Sequence, residues 1–202
     1  MYIPRHFEPP DVKWVAPFIR KNSFALVMTH VKHELRAVHI PLEIDEERNV
    51  LSGHIARANN ISEAIDGQTP LMAVFMHQHA YVSSSWYSYT EVPTWNYIAV
   101  HINGVAKEIV KDDLRARLED MVEHYESGRP NRFHLSDMSD QMIERQMRGI
   151  VGFDMEINSI EAKYKLSQNR NTRDYDEIIN QLQMSSDPLS NLIAEDMRKL
   201  KQ

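Results

Sequence analysis

The sequence predicts a mainly β protein with additional α-helices: an antiparallel barrel with peripheral helices and a helical C-terminal end. Two patterns indicate this class. Short strand-like segments joined by turns fill the first two-thirds of the 202-residue chain, and helical segments dominate the last third. The sequence also contains neither a βαβ alternation nor the glycine-rich phosphate loops of the common nucleotide-binding folds. A doubly wound α/β fold is therefore not supported.

Alternation of apolar and polar residues locates the strands. The predicted strands are residues 24–30, 35–42, 50–55, 70–77, 95–102, 105–110 and 150–157. Polar turns at 31–34 and 45–49 join the first three strands, so two β-hairpins are expected there. The dipeptide Asn103-Gly104 is typical of tight hairpin turns and predicts a third. Because proline has no backbone N–H to donate, Pro41 is expected at a sheet edge or at a strand end.

Helical spacing and capping residues locate the helices. The predicted helices are residues 59–65, 112–126 and 136–147, followed from Tyr175 onward by two helices separated at residues 185–188. Asn60 or Ser62 is expected to cap the first helix, and Asp112 or Asp113 the second. We expect a single domain, with the barrel over residues 1–170 and residues 171–202 as its helical extension.

The composition is that of a globular protein, with 42% hydrophobic and 26% charged residues. The chain has no cysteine, which excludes disulfides, thiol catalysis and cysteine metal sites and fits a cytoplasmic location. The first residues show no apolar signal-peptide segment, and the longest apolar runs are too short to cross a bilayer, so no membrane association is expected. The net charge of −6 disfavours broad contact with nucleic acid.

The segment from Ser83 to Tyr97 is rich in aromatic residues interleaved with small polar ones. It contains two of the three tryptophans and three of the eight tyrosines of the chain. Hydroxyl and indole donors need partners when they are buried, so this mixture suits a dry core poorly. It suits a wall against a flat, partly polar ligand. We therefore interpret the segment as part of a binding site.

Residues 53–59 place Gly53, Arg57 and Asn59 where a strand gives way to a helix. A guanidinium group and the free N–H groups of a helix start can together bind a phosphate. The alternative is a surface arginine beside a helix cap. Because the pattern is not a specific motif, the residues alone favour the surface arginine.

Histidines on neighbouring predicted strands raise the question of a metal site. They are His39, His54, His77 and His79. The sequence has no pair of histidines at helical spacing beside an aligned carboxylate, so strand partners or ligand donors are favoured and no metal is predicted. The run of serines at 83–85 lacks the G-x-S-x-G pattern of a nucleophile elbow, which disfavours a serine hydrolase.

The segment from Lys163 to Arg170 combines cations with hydrogen-bonding side chains on a predicted loop. It is either a solvated connector before the C-terminal helices or a loop that binds an anion or the edge of a heterocycle. The sequence pattern alone leaves both interpretations open.

Several of these segments, in the same order, resemble one family. The matching segments are residues 1–7, 39–42, 53–59, 81–83, 85–87, 92–97, 150–152 and 165–170. They resemble the PaiB family of FMN-binding negative transcriptional regulators, which are relatives of pyridoxamine-phosphate oxidase. The resemblance covers about residues 1 to 170. It is specific because several unrelated short segments match in sequence order.

The resemblance implies a split β-barrel homodimer that holds FMN at the subunit interface. The cofactor-binding residues that it implies are His39, Ile40, Pro41, Leu42, Arg57, Asn59, Trp95, Asn96, Gln168 and Arg170. In the related oxidases, the segment at the place of residues 57–59 grips the FMN phosphate, and the strand at the place of residues 39–42 runs along the isoalloxazine. The later residues would line the pocket and close over the flavin, with room for a second small ligand beside it.

The resemblance implies an FMN-binding homodimeric regulator that represses sporulation and degradative-enzyme genes. The regulation implied by the resemblance is either direct, through DNA, or indirect, through a partner or a metabolite. The sequence shows no helix-turn-helix signal, which favours the indirect route. The alternative is an FMN-dependent oxidoreductase, either a flavin reductase or an oxidase of small amines, since a bound flavin can pass hydride. No residue stands out as a required acid or base, so catalytic residues are not assigned. A flavin-free dimeric barrel is the third possibility.

Overall fold

The computed structural model describes residues 1–9, 11–109 and 112–201. The strands are β1 (Phe24–Val31), β2 (Glu34–Asp45), β3 (Val50–Ala56), β4 (Asp66–Val82), β5 (Thr94–Ile109) and β6 (Ile150–Lys165). The helices are α1 (Val15–Lys21), α2 (Asp112–Glu126), α3 (Asp140–Arg148), α4 (Thr172–Met184) and α5 (Pro188–Lys201). Short 3-10 helices, among them Asn60–Ala64 and Ser84–Trp86, connect some of these elements.

The six strands form a closed antiparallel barrel in the order β1-β2-β3-β6-β5-β4. The ladders between β1 and β2, β1 and β4, β2 and β3, and β3 and β6 are all antiparallel. Closure removes the unpaired edges that an open sheet would present. The predicted class, a mainly β barrel with peripheral and C-terminal helices, is therefore confirmed.

The first three strands form the two predicted hairpins. In the β1–β2 hairpin Val27 pairs with Val38, and Val31 pairs with Glu34 across the turn. Lys32 and His33, between the strands, have positive φ angles of 50° and 66°. Such angles at both central residues match the right-handed twist of the flanking strands, which explains how so tight a turn closes without glycine.

The hairpin turn predicted at Asn103-Gly104 is wrong, because β5 runs through this point without interruption. A Cβ atom built on Gly104 would lie only 2.0 Å from the carbonyl oxygen of Glu156 on β6. Glycine is therefore required here for a close approach of two backbones rather than for a turn conformation. The predicted pair of strands is one long strand, and Val110, at its expected end, lies outside the described residues.

Pro41 lies inside β2 and pairs with Phe24 of β1, so the prediction that it sits at a sheet edge or strand end is wrong as stated. The neighbouring Leu42 donates its backbone N–H to Ser23 on the β1 side. By alternation, the nitrogen of Pro41 faces β3, and the β2–β3 pairs begin only at Leu42. The missing donor thus falls where one ladder ends, which makes proline tolerable there.

Several predicted boundaries also shift; the strand predicted at 70–77, for example, extends over Asp66–Val82. The cap of the 3-10 helix Asn60–Ala64 is Asn59, whose side chain accepts a hydrogen bond from the backbone N–H of Ile61 at 3.0 Å, and not Asn60 or Ser62. Helix α3 begins later than predicted because Ser139 caps it. The predicted loop at Lys163 is still strand, since β6 continues to Lys165. The helices predicted up to Glu126 and on both sides of 185–188 are confirmed. The cap predicted at Asp112 or Asp113 is wrong, since both residues lie in the first turn of α2.

The chain divides into two compact units that alternate along the sequence. The central unit comprises residues 19–74 and 102–160, and the terminal unit comprises residues 1–18, 75–101 and 161–202. Each unit has its own buried apolar residues. Those of the central unit include Val27, Leu42, Leu51, Ile102, Phe153 and Met155, and those of the terminal unit include Phe75, Leu166, Ile178, Leu182, Ile193 and Met197. The boundary predicted at residue 170 stays a prediction.

We expect Gly104→Ala to destabilise the protein by about 3 kcal/mol, because the added methyl group would force β5 away from the Glu156 carbonyl. Gly149→Ala is the matched control. A Cβ there would lie 3.3 Å from the nearest atom, and Gly149 has a helical φ of −82°, so a cost below about 1 kcal/mol is expected. Urea unfolding measures both. Equal stability of the two variants would show that the strands do not depend on this contact.

Candidate functional site

Arg57 follows β3 in the central unit, and its exposed side chain lies against the α3–β6 junction. Its Nε donates to the carbonyl of Arg148 at 3.3 Å, and its Nη2 donates to the carbonyl of Ile150 at 2.8 Å. The same Nη2 forms an ion pair with Glu108 at 3.0 Å. A guanidinium group has five N–H donors, so Arg57 keeps capacity for a further acceptor.

A cleft of about 600 Å³ lies beside Arg57. Three arginines line it, namely Arg57, Arg115 on α2 and Arg148 on α3, together with apolar side chains such as that of Met147. Three carboxylates line it too, those of Glu108, Asp112 and Glu144, so the formal charges of the lining side chains balance. Arg115 also donates to Asp140, outside the cleft, at 2.8 Å. Three guanidinium groups next to apolar surface form a setting that can hold an anionic group attached to an organic body.

Asn59 is half-buried and uses its Oδ1 as the helix cap, so only its amide nitrogen is free to act as a donor to a ligand. Along the neighbouring strand β2, the side chains alternate in their exposure. Ile40 and Leu42 are buried in the core of the central unit, whereas His39 is exposed and Pro41 is half-buried. The ring of His39 stacks on Phe24 at a centroid distance of 6.0 Å.

Trp95 and Asn96 begin β5 in the terminal unit and differ sharply in exposure. The side chain of Trp95 is 52% exposed, and its ring contacts those of His79 and Tyr81. Asn96 is fully buried; it accepts a hydrogen bond from the Ser167 hydroxyl at 3.0 Å and donates to the sulfur of Met197 at 3.6 Å. The indole is therefore available to a ligand, whereas the amide is occupied by the fold.

Gln168 and Arg170 are also held by partners within the terminal unit. Gln168 accepts from the backbone N–H of Leu166 at 2.7 Å and donates to the carbonyl of Tyr164. The guanidinium of Arg170 lies 4.5 Å from the ring centroid of Tyr87 and donates to the carboxylate of Glu91 at 2.8 Å. This bond holds the pKa of Glu91 below its usual range. Gln168 thus stabilises the turn after β6, and Arg170 holds this turn against the aromatic segment.

The aromatic segment from Ser83 to Tyr97 was predicted to form a wall of a binding site, and only some of its rings are open to a ligand. Tyr87 is buried under Arg170, whereas Trp95 is exposed and Trp86 is half-buried. The backbone N–H of Ser88 donates to Asp174 of α4 at 2.9 Å, which ties the segment to the C-terminal helices. Its two tryptophans line one cavity of the terminal unit.

The implied cofactor residues thus fall into two groups. Residues 39–42, Arg57 and Asn59 belong to the central unit, and Trp95, Asn96, Gln168 and Arg170 belong to the terminal unit. Within the terminal unit, Asn96 is joined to the late loop through Ser167, whose φ of 64° places it in the left-handed region. Arg115 and Arg148 were not singled out from the sequence, because isolated arginines on amphipathic helices carry no recognisable signal.

The histidines stand apart from any cluster of ligands. In the described part of the chain, no three His, Asp or Glu side chains come together as a metal site would require. His54 is half-buried and its pKa is lowered by burial. Also within those residues, no helix is long and apolar enough to cross a membrane.

The fold places the molecule in the class of split-barrel proteins. The flavocytochrome Anf3 from Azotobacter vinelandii superposes with a TM-score of 0.64 at 14% identity, covering 87% of this chain and 78% of that one. The FAD and heme binding protein from Mycobacterium smegmatis superposes with a TM-score of 0.62 at 13% identity, covering 78% and 72%. At these identities the likeness concerns the fold alone.

Sequence comparison identifies the family. Residues 1–159 match the family model described as "Putative FMN-binding domain". The protein of Bacillus subtilis called "Protease synthase and sporulation protein PAI 2" is 39% identical over 204 residues, covering all of this chain and 99% of that protein. The chain therefore belongs to this FMN-binding family, and both the PaiB resemblance and FMN as the cofactor, predicted from the sequence, are confirmed.

The residues of the central unit have the chemistry that FMN requires. FMN carries a phosphate, and Arg57 offers spare donors beside two further arginines. FMN also carries a flat ring, and the outward side of β2 at His39 and Pro41 is exposed or half-buried rather than packed in the core. The donor set and the open strand face are thus compatible with the cofactor.

Proposed function

We propose that the protein is an FMN-binding homodimer that acts as a negative regulator of sporulation and degradative-enzyme genes in the cytoplasm. The observation that carries this proposal is the 39% identity over the whole length of a Bacillus subtilis protein named for protease synthesis and sporulation. Identity at this level along complete chains supports a shared role more strongly than a shared fold does.

Arg57 is the residue that we assign to the FMN phosphate, with Asn59 as a second donor. In support, the Arg57 side chain is exposed and keeps free N–H donors, and Arg115 and Arg148 line the same cleft opposite an equal number of carboxylates. A guanidinium pairs with phosphate through charge-assisted hydrogen bonds, which are stronger than neutral ones. The competing carboxylate of Glu108 would have to share or release Arg57 when the phosphate binds.

The strand at residues 39–42 is assigned to the isoalloxazine. Ile40 and Leu42 are buried, so their side chains would support the strand from inside, and the outward side chains of His39 and Pro41 would meet the ring. Bound FMN supplies a redox-active ring, and these residues orient it and limit the access of water.

The four residues of the terminal unit divide by their availability. Trp95 is exposed and is assigned to the pocket wall. Asn96, Gln168 and Arg170 already have partners, so in our proposal they hold the segments around the pocket in place. Their contribution to FMN binding would therefore be through the position of their neighbours.

Dimerisation is supported by an exposed apolar face on the central unit. Outward side chains of β1, β2 and β4 form it: Phe24 and Leu35 are exposed, and Leu26, Met28, Met72 and Val74 are half-buried. The register pairs Met28 of β1 with both Ala37 and Met72, so the three strands present one continuous surface. Phe24 is 65% and Leu35 83% exposed. A contiguous apolar surface of this kind marks a protein interface, and a second copy of the chain is the occupant that we propose.

Regulation through a partner or a metabolite fits the charges better than direct binding to an operator. The net charge is −6. The cations at the end of α5 are already engaged within the terminal unit, where Arg198 donates to Gln183 and Lys199 to Asp196. Few cations remain there to neutralise DNA phosphates.

We expect the purified protein to show the absorbance of bound flavin, or to gain it on titration with FMN, and Arg57→Glu to weaken binding at least about tenfold, since a carboxylate would oppose the phosphate. Arg20→Glu, which reverses another exposed arginine outside this cleft, should bind FMN normally. Flavin fluorescence measures the affinities. Unchanged affinity of the Arg57 variant would refute the phosphate role.

The same flavin-loaded protein separates the regulator from the oxidoreductase. Under anaerobic conditions, a regulator without reductase activity should keep its oxidised flavin spectrum when NADH or NADPH is added. Rapid bleaching by either nucleotide would support the oxidoreductase alternative instead.

We expect sedimentation equilibrium to give the mass of two chains, and Phe24→Glu to give the mass of one, because the charge would be buried in the interface. Met142→Glu is the control, since Met142 is 53% exposed but lies on α3 and outside the apolar face. A dimeric Phe24 variant, or a monomeric native protein, would contradict the proposed interface.

In an electrophoretic mobility-shift experiment at about 0.1 M salt, we expect the protein to bind DNA from upstream of its own gene no better than an unrelated fragment, because its charge is acidic. A clear preference for the upstream fragment would overturn indirect regulation and establish direct repression.

A further inference from the structure

The terminal unit holds a cavity of about 590 Å³ that the assigned cofactor residues use only through Trp95. One wall comes from β4, the 3-10 helix Ser84–Trp86 and the start of β5. The other wall comes from the end of α4 and the start of α5. The volume lies in the range of sites for small organic ligands.

Aromatic rings dominate the first wall. Trp86, Trp95 and Tyr81 line it, and the rings of Trp95 and Tyr81 meet edge to face at a centroid distance of 5.7 Å. Trp95 is 52% and Tyr81 48% exposed, so both are open to a ligand. The faces of such rings carry negative potential and attract cations, tryptophan most strongly.

The second wall adds the negative end of a helix dipole. Gln181 to Ser185 lie at the C-terminal end of α4, and the last turn of this helix has no basic residue to offset its carbonyl groups. Thirteen residues of aligned peptide dipoles therefore end against the cavity. The nearby Arg198 donates to Gln183, which is not one of the lining residues.

Asp187 supplies a formal negative charge where α5 begins. Its carboxylate accepts from the backbone N–H groups of Leu189 at 3.2 Å and Ser190 at 3.1 Å. The bond from the Ser190 hydroxyl, at 2.8 Å, helps to hold the pKa of Asp187 below its usual range. The N–H groups in the first turn of α5 thus donate to Asp187, so they offer little to an anionic ligand.

Positive charge is scarce among the lining residues of this cavity, although the Nζ atom of Lys165 donates to the backbone carbonyl of Trp95 at 2.6 Å. Among the lining residues that the structure describes there is no lysine or arginine, and His79 is the one basic side chain. The Nδ1 atom of His79 lies 3.2 Å from the carbonyl oxygen of His77 and its ring packs against Trp95. The aromatic faces, the end of α4 and the carboxylate favour a cation, and Asp187 caps the opposing positive end of the α5 dipole.

We propose that this cavity binds a small organic cation, an amine or quaternary ammonium ion with a compact apolar body. The aromatic rings would surround the apolar groups and the charge, and Asp187 with the end of α4 would stabilise the charge at longer range. The inference shares only Trp95 with the FMN assignment, because Arg57, Asn59 and β2 do not line this cavity.

Titration calorimetry with choline and with its uncharged isostere 3,3-dimethylbutan-1-ol tests the proposal at low salt. The two probes have nearly the same shape, so their difference reports the charge. We expect choline to bind at least about tenfold more tightly than the alcohol. Equal affinity of the two probes, or no binding of choline, would overturn the proposal.

Two variants test whether Asp187 and Trp95 form the choline site. Asp187→Asn removes the charge but keeps a good helix-capping residue, and Trp95→Leu removes one aromatic face; each should weaken choline binding about three- to tenfold. Asp176→Asn makes the same charge change on α4 outside the cavity and should leave binding unchanged. Circular dichroism checks that each variant is folded. Normal choline affinity in both cavity variants would refute the assignment.

A final titration separates this site from the flavin site. Choline affinity should be the same with and without saturating FMN, and Arg57→Glu should not alter it. Failure of FMN to bind would then refute the flavin assignment and leave the cation site intact. Mutual displacement of choline and FMN would instead show that the cavity belongs to the flavin and would overturn the separate site.

Discussion

The close approach of β5 and β6 at Gly104 is the constraint on which the central unit depends. A carbonyl oxygen of β6 occupies the volume that any other side chain at this position would need. Because the two backbones meet there, β5 continues as one strand of 16 residues. One continuous strand therefore carries Trp95 and Asn96 near its beginning and Glu108, the partner of Arg57, near its end. A hairpin turn at Gly104 would instead have folded Glu108 back toward the beginning of the strand.

Short sequence patterns predicted those elements whose conformation depends mainly on neighbouring residues in the chain. Alternating strands, polar turns and caps located the first three strands and the last two helices. Asn103-Gly104 failed because glycine serves two purposes, a turn conformation or a close contact, and only the neighbouring strand decides between them. The cap at Asn59 was displaced by one residue for a similar reason, since several adjacent residues can all accept from a helix N–H.

The sequence predicted which residue types form the candidate site. It did not predict which of their side chains are exposed and which already have partners within the protein. Arg57 and Arg170 are both arginines in matching family segments, yet Arg57 is exposed and Arg170 is bound by Glu91 and stacked on Tyr87. These partners lie 79 and 83 positions from Arg170 in the sequence, and no local pattern reveals them. Polar residues that already have hydrogen-bond partners within the protein fix the shape of a site. Those with spare N–H donors can donate hydrogen bonds to a ligand.

If Arg57 binds the FMN phosphate, as we propose, its ion pair with Glu108 has a consequence for selectivity. An anion that approaches Arg57 meets a guanidinium that already has a carboxylate partner 3.0 Å away. A small inorganic ion brings only its charge to this exchange, and so it gains little by replacing Glu108. A larger ligand that makes contacts elsewhere at the same time adds their free energy and can complete the exchange. In the proposed site, the Glu108 carboxylate would therefore favour ligands with further contacts over small inorganic ions.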